Sequence, residues 1–218
     1  MTRLVLVMGV GRSGTSAIAG ALHQAGVDMG DDLIGPSATF NVKGHFESRA
    51  WWTLDTMAAD IIRKGNTPSS DVLAEYRNLL AKRQAANDIL FGIKSPYLGS
   101  TLRFIRPLLD EFDWRIVAVH RKRSSIVQST MRHYNGGRGC KPAKTEQVVN
   151  MRLAAYFQAL DQLGGTPPIR HVQYEDVLAH PPGMASVVDF ATAGSGYKPK
   201  SQQYAAAVKW LDAKLRHY

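Results

Sequence analysis

The sequence predicts a three-layer α/β domain in which a parallel sheet is covered by helices on both faces. Two observations carry that expectation. Four short strands are expected, at residues 4–8, 89–93, 115–119 and 169–174, and the first is a continuous apolar run, as in a strand buried on both faces. Between them lie stretches long enough for the helical crossovers that parallel strands require. No Pro-, Gly- or Ser-rich linker and no repeat divides the 218 residues, so the chain reads as one domain, 1–218.

The first run ends at Gly9. After a glycine-rich turn, residues 15–25 have the small and aliphatic composition of a helix, with Gly26 as its stop. Residues 31–48 mix Gly, Pro, Asn and scattered polar groups without periodicity, which predicts a long loop over the mouth of a site. Helices are expected at 49–63 and 70–86, the second with Ser69, Ser70 and Asp71 as cap candidates. The second strand leads into Lys94-Ser95-Pro96 and a helix at 99–109. The third delivers His120 and Arg121 to its C-terminal end, ahead of a helix at 124–132. Residues 134–144, with Asn135-Gly136-Gly137, read as a loop. A long helix at 145–163 is broken by Gly164-Gly165 before the fourth strand, and a last helix spans 201–215. In such a sheet, ligands gather at the C-terminal ends of the strands.

Hydrophobic residues make up 44% and charged residues 21%, which suits a folded core rather than a disordered chain. The 27 Lys and Arg against 18 acids give a net charge of +9, which concentrates anionic ligands: nucleotides, nucleic acids, phosphorylated or sulfated substrates, or an acidic membrane face. A basic surface that only serves solubility has the same composition. Cys140 is the single cysteine, so neither an intrachain disulfide nor a cysteine zinc site can form, and a reducing compartment is expected. The 4–8 run is too short for a signal-peptide core or a membrane span, so the expected location is the cytoplasm.

The segment Gly9-Val10-Gly11-Arg12-Ser13-Gly14-Thr15-Ser16 almost fits the phosphate-binding pattern G-x-x-x-x-G-K-[ST], with Thr15 where the lysine belongs. Without that lysine a triphosphate site loses a principal cation. What remains is a turn whose backbone N–H groups can wrap an oxyanion at a helix N-terminus. Arg12 can supply a cation from within the loop, and Thr15 and Ser16 add hydroxyls. The alternative is a strand-to-helix turn rich in glycine for packing alone.

The run Arg12-Ser13-Gly14-Thr15-Ser16 after a buried strand resembles the phosphosulfate-binding loop of the sulfotransferase family. The resemblance implies that PAPS is the sulfonate donor and PAP the product. It implies that Gly11, Arg12, Ser13, Gly14, Thr15 and Ser16 hold the 5′ end of the nucleotide, with Arg12 at the phosphosulfate. The family binds the 3′-phosphate with an Arg at a strand end and a Ser eight residues later, a spacing matched by Arg121 and Ser129. Tyr174-Glu175-Asp176 resembles the segment whose aromatic lies against adenine, although a core tyrosine followed by an acidic helix cap reads equally well. Lys94 resembles the strand-end lysine that approaches the transferring group. The C-terminal R-K-G element of many members has no counterpart; Lys198 and Lys200 are partial substitutes or a solvated turn.

In-line sulfonate transfer needs cations at the leaving oxygen and a base at the acceptor hydroxyl or amine. The cytosolic branch uses the His of a K-T-H element, and Pro96 stands at that position here. Bacterial and tyrosylprotein enzymes use a Glu in the loop after the first helix, and Asn41-Val42-Lys43-Gly44-His45-Phe46-Glu47 resembles their N-x-x-G-x-x-E pattern. Glu47 is therefore the expected base, with His45 the competitor because imidazole titrates near neutrality. No metal is expected, and the acceptor, compatible with an acidic molecule, is not legible. A kinase or NTPase would want the loop lysine and an acid for Mg²⁺, for which Glu175 and Asp176 are the candidates. A nucleic-acid binder would rely on the net charge and the basic run 121–123, and is not expected here.

Overall fold

The computed structural model describes residues 1–36, 42–135 and 141–211. Strand β1 (Arg3–Met8) is buried at every position, which explains its unbroken apolar run. The charge at its first residue is absorbed by two partners: Arg3 donates to the Ala191 carbonyl at 3.2 Å and pairs with Asp113. Helix α1 (Thr15–Gln24) follows, then α2 (Arg49–Arg63) and α3 (Ser70–Ala86), each capped by a serine hydroxyl, Ser48 and Ser69. Next come β2 (Leu90–Lys94), α4 (Leu98–Leu109), β3 (Asp113–His120), α5 (Arg123–Asn135) and α6 (Pro142–Asp161). The chain continues with β4 (Ile169–Gln173), α7 (Tyr174–Ala179), a 3₁₀ turn (Pro181–Gly183), α8 (Met184–Thr192) and α9 (Ser201–Trp210).

The four strands form one all-parallel sheet in the order β2-β1-β3-β4. Successive β1 residues face opposite sides, and the core divides accordingly. Leu4, Leu6 and Met8 pack with Phe91, Ile116 and Ala118 against the layer that carries Trp51, Leu54, Tyr76, Leu102 and Tyr156. Val5 and Val7 pack with Val117, Val119 and Val172 against Ile18, Leu22, Val188 and Ala207. The three-layer α/β architecture read from the sequence is the one observed. Because β2 and β3 flank β1 on opposite sides, the connections leave β1 in opposite directions, and a crevice opens at the strand C-termini.

Several boundaries differ from the expected ones. Helix α6 begins at Pro142, not 145, because proline suits the first helical position, where its missing N–H is no loss. Tyr174 is not the end of β4 but the first residue of α7, whose first turn carries Glu175 and Asp176, acids that the helix N-terminus favours. The expected loop at 31–48 is tied at both ends: Ile34 N donates to Glu47 O at 2.8 Å, His45 N donates to Ile34 O, and Leu33 bridges Ser48 antiparallel. Asn41, Gly136, Gly137, Cys140 and the end of the tail helix, 212–218, lie outside the described residues. Among the described residues, no helix is long and apolar enough to cross a membrane.

Candidate functional site

The turn after β1 is shaped by what its glycines allow. A β-carbon on Gly9 would stand 2.8 Å from the Val119 carbonyl, and one on Gly14, whose φ is 97°, would stand 2.3 Å from the Tyr174 ring. Arg12 itself adopts a left-handed φ of 74°, a conformation that a side chain ordinarily avoids. Ser13 N donates to the Val10 carbonyl at 2.9 Å and closes the turn. The Ser13 side chain is buried beneath the loop, away from the cavity, whereas Gly11, Arg12, Gly14, Thr15 and Ser16 line it.

Arg12 leans toward α5, and its Nε donates to Ser129 Oγ at 3.1 Å. Arg121, at the end of β3, donates from Nη1 to the Arg12 carbonyl at 2.9 Å and lies 5.1 Å from the centre of the Tyr174 ring. The two sequence-distant groups, Arg12 and the Arg121/Ser129 pair, therefore join in one corner. Arg121 and Ser129 stand behind the loop, while Tyr174, buried beneath Gly14, also lines the cavity. Burial lowers the Arg12 pKa, and the like charges of Arg121 and Arg132 lower it further. Burial is also the main cause that lowers the Arg121 pKa, with Glu175 acting the other way from 3.9 Å. Cations crowded this way, with one acid at the edge, have the electrostatics that a multiply charged anion would relieve.

A second group lies on the β2 side. Lys94, the last residue of β2, donates to Ser16 Oγ at 3.1 Å and forms a buried ion pair with Glu47. Only 4% of Glu47 and 5% of Lys94 is exposed. The cation beside the loop hydroxyl thus comes from a neighbouring strand, not from the loop position that Thr15 occupies. Glu47 is aimed inward by Phe46, which holds a left-handed φ of 55° while its ring packs edge-on to Trp210 and against His23. Such backbone strain persists only where surrounding packing over-determines it. Half-buried His45 lines the same cavity, and burial lowers its pKa against the opposing effect of Glu47. Behind Lys94, the fully buried Asp55 accepts hydrogen bonds from Tyr76 at 2.7 Å and from Ser95, and burial raises its pKa.

The loop, His45, Glu47, Lys94 and Tyr174 line one cavity of about 770 Å³, the size of a nucleotide-scale ligand site. Comparison with solved structures finds similar folds, two sulfotransferase domains among them. A sulfotransferase domain from the curacin biosynthetic pathway superposes with a TM-score of 0.53 at 15% identity, covering 93% of this chain and 77% of that one. A sulfotransferase domain from the Synechococcus PCC 7002 olefin synthase gives 0.50 at 18% identity, covering 96% and 87%. The fold is sulfotransferase-like. No family model matches the sequence, and no curated protein matches it.

Within this sulfotransferase-like fold, several cavity residues carry no sequence signal of their own. Trp52 and Ile62 of α2, Tyr97, and Val148 and Met151 of α6 make one wall apolar. Trp52 and Met151 are exposed, at 39% and 58%, although both are large and hydrophobic. Arg152 and His133 line the cavity from α6 and α5. The helical spacing of 148, 151, 152 and 155 on α6 was the available signal, but it gives no direction until the partner layer is known. Lys198 and Lys200 are exposed and do not line the cavity. Among the described residues, no three His, Cys, Asp or Glu side chains converge in a metal-binding cluster.

Proposed function

We propose that this chain is a PAPS-dependent sulfotransferase that moves a sulfonate to a hydroxyl or amine and releases PAP. The observation that carries the reading is the convergence, in one cavity, of the Arg12 loop backed by Arg121 and Ser129 with the buried Lys94–Glu47 pair on Ser16. The loop and Arg12 hold the 5′ end of the donor, Arg121 and Ser129 take the 3′-phosphate by exchanging their bonds to Arg12 for it, and Tyr174 takes the adenine. The acceptor enters along the apolar wall of Trp52, Ile62 and Met151.

In the reaction the acceptor oxygen attacks sulfur and its proton passes to Glu47. The bond from sulfur to the bridging oxygen breaks, and the electron pair stays on the phosphate of PAP. Protonation of Glu47 frees Lys94, which already touches the loop hydroxyl of Ser16, to stabilise the leaving oxygen. His45 is the second candidate for the base: burial favours its neutral, proton-accepting form.

Thermal stabilisation tests the reading, because a ligand that binds only the folded state raises Tm. PAP with EDTA, at one hundred times its Kd, stabilises by about 2.7 kcal/mol, which is about 5–11 °C for a domain of this size. ATP with Mg²⁺ and an oligonucleotide shift it less, and Arg121→Ala removes most of the PAP shift. Stronger stabilisation by ATP with Mg²⁺, or by the oligonucleotide, overturns the proposal in favour of a kinase or a nucleic-acid binder.

A further inference from the structure

We propose that Arg152 of α6 is a donor-binding residue that grips the 5′ end of the nucleotide from the side opposite the loop. The assignment rests on the reading of the cavity as a PAPS site and adds a residue to it. Arg152 Nη1 lies 3.7 Å from where a β-carbon on Gly11 would stand, so the guanidinium sits directly over the middle of the loop. Glycine at position 11 keeps that approach open: a larger side chain would fill the gap between the loop backbone and the arginine.

Among the described residues, no salt bridge engages Arg152. Arg12 and Arg152 both lie close enough to His133 to lower its pKa, after the larger effect of burial. Arg12 and Arg152 line one cavity, and like charges that face a shared space are unfavourable by themselves and become favourable when an anion arrives between them. The planar fork of Arg152 can take two oxygens of one phosphate or sulfonate, which an ammonium cannot.

The helix that carries it is fixed. One turn further on, buried Tyr156 donates to the Val119 carbonyl at 3.4 Å, and the α6 backbone at Tyr156 packs so closely on Gly99 that a β-carbon there would lie 3.1 Å away. Tyr156 and Arg152 are four residues apart and share a helix face, so anchoring one aims the other at the cavity.

The test pairs variants with truncated ligands. Calorimetric Kd values are measured for PAP and for adenosine 3′-phosphate, which lacks the 5′-phosphate, on the wild type, Arg152→Ala and Arg152→Lys. Arg152→Ala weakens PAP by about 10- to 100-fold, the range of a charge-assisted contact, and leaves adenosine 3′-phosphate within about threefold. Arg152→Lys falls between. Equal weakening of both ligands, or none for PAP, overturns the assignment while leaving the sulfotransferase reading intact. A wild type that does not bind PAP overturns both.

Discussion

The buried Lys94–Glu47 pair gives the most demanding prediction, because both side chains are almost fully removed from water and each is the other's only opposite charge in an ion pair among the described residues. Removing one member of such a pair leaves an uncompensated charge, which costs about 3–5 kcal/mol. Glu47→Gln keeps an amide oxygen for Lys94 and leaves the Ser16 contact, so its loss is about 3 kcal/mol, the low end of that range. Lys94→Met strands a carboxylate and costs at least as much. For a domain of this size these losses lower Tm by about 6–12 °C. The double variant Glu47→Gln/Lys94→Met replaces the pair by uncharged groups of similar length and loses about 1 kcal/mol or less. Urea unfolding followed by circular dichroism at pH 7.5 closes the cycle, with an expected coupling of several kcal/mol. Additive losses, with coupling under about 0.5 kcal/mol, would refute the buried pair and with it the idea that Lys94 is held in reserve by Glu47. PAP binding supplies the functional arm: Glu47→Gln frees the ammonium and keeps or tightens PAP affinity, while Lys94→Met weakens it.

Two further outcomes follow from the same geometry. Gly14→Ala meets the Tyr174 ring at 2.3 Å with a φ of 97°; the left-handed backbone alone costs about 1–2 kcal/mol, so Tm falls by about 2–8 °C from that cause alone and PAP affinity falls with it, whereas Gly35→Ala, with nothing within 4 Å, is neutral in the same melts. Burial lowers the pKa of His45, His120 and His133, helped by His171 at His120 and by Arg12 and Arg152 at His133. Folded pKa values below the ordinary 6.5 mean that the stability of the neutral rings is fully present above pH 6.5 and is lost as pH falls below that value and through the lowered folded pKa values. Melts between pH 7.5 and 5.5 should therefore show falling Tm. PAP, by neutralising Arg12 and Arg152, raises the His133 pKa and is bound with proton uptake, measured by calorimetry in buffers of different ionisation enthalpy.

The sheet was legible because its signal is local. The first three strands each carry a short apolar run, and β1, buried at every position, shows no alternation to obscure it. The loop was legible for a related reason: Gly9 and Gly14 are demanded by contacts with Val119 and Tyr174, so a motif records a packing constraint. Helix α8 gave no such signal. It is nine residues long, follows two prolines, and is buried on the face it shares with Val187, Val188 and Ala191, so only the sheet it covers defines it. Arg152 was missed because an arginine in a long helix has the same spacing whether it faces solvent or a cavity. The ion pair between Glu47 and Lys94 joins residues 47 positions apart, and no sequence pattern encodes that distance.

One physical feature links the loop to the proposed base. Arg12 and Phe46 are the two non-glycine residues with left-handed backbone among those described, and each adjoins the proposed chemistry: one is the loop cation, the other precedes Glu47. Each conformation costs about 1–3 kcal/mol and is retained only because neighbours enforce it. At Arg12 the enforcing contacts are the Ser129 hydrogen bond and the Arg121 guanidinium on its carbonyl; at Phe46 they are Trp210 and His23. Helix α9 delivers Trp210 to the cavity wall, and Lys43 donates to the Trp210 carbonyl at 2.7 Å. The C-terminal helix, which carries no charged residue of the candidate site, thereby fixes the direction of Glu47. Shortening Trp210 should loosen the carboxylate and its pair with Lys94 before it disturbs the Arg12 corner, because that corner is braced from β3 and α5 instead.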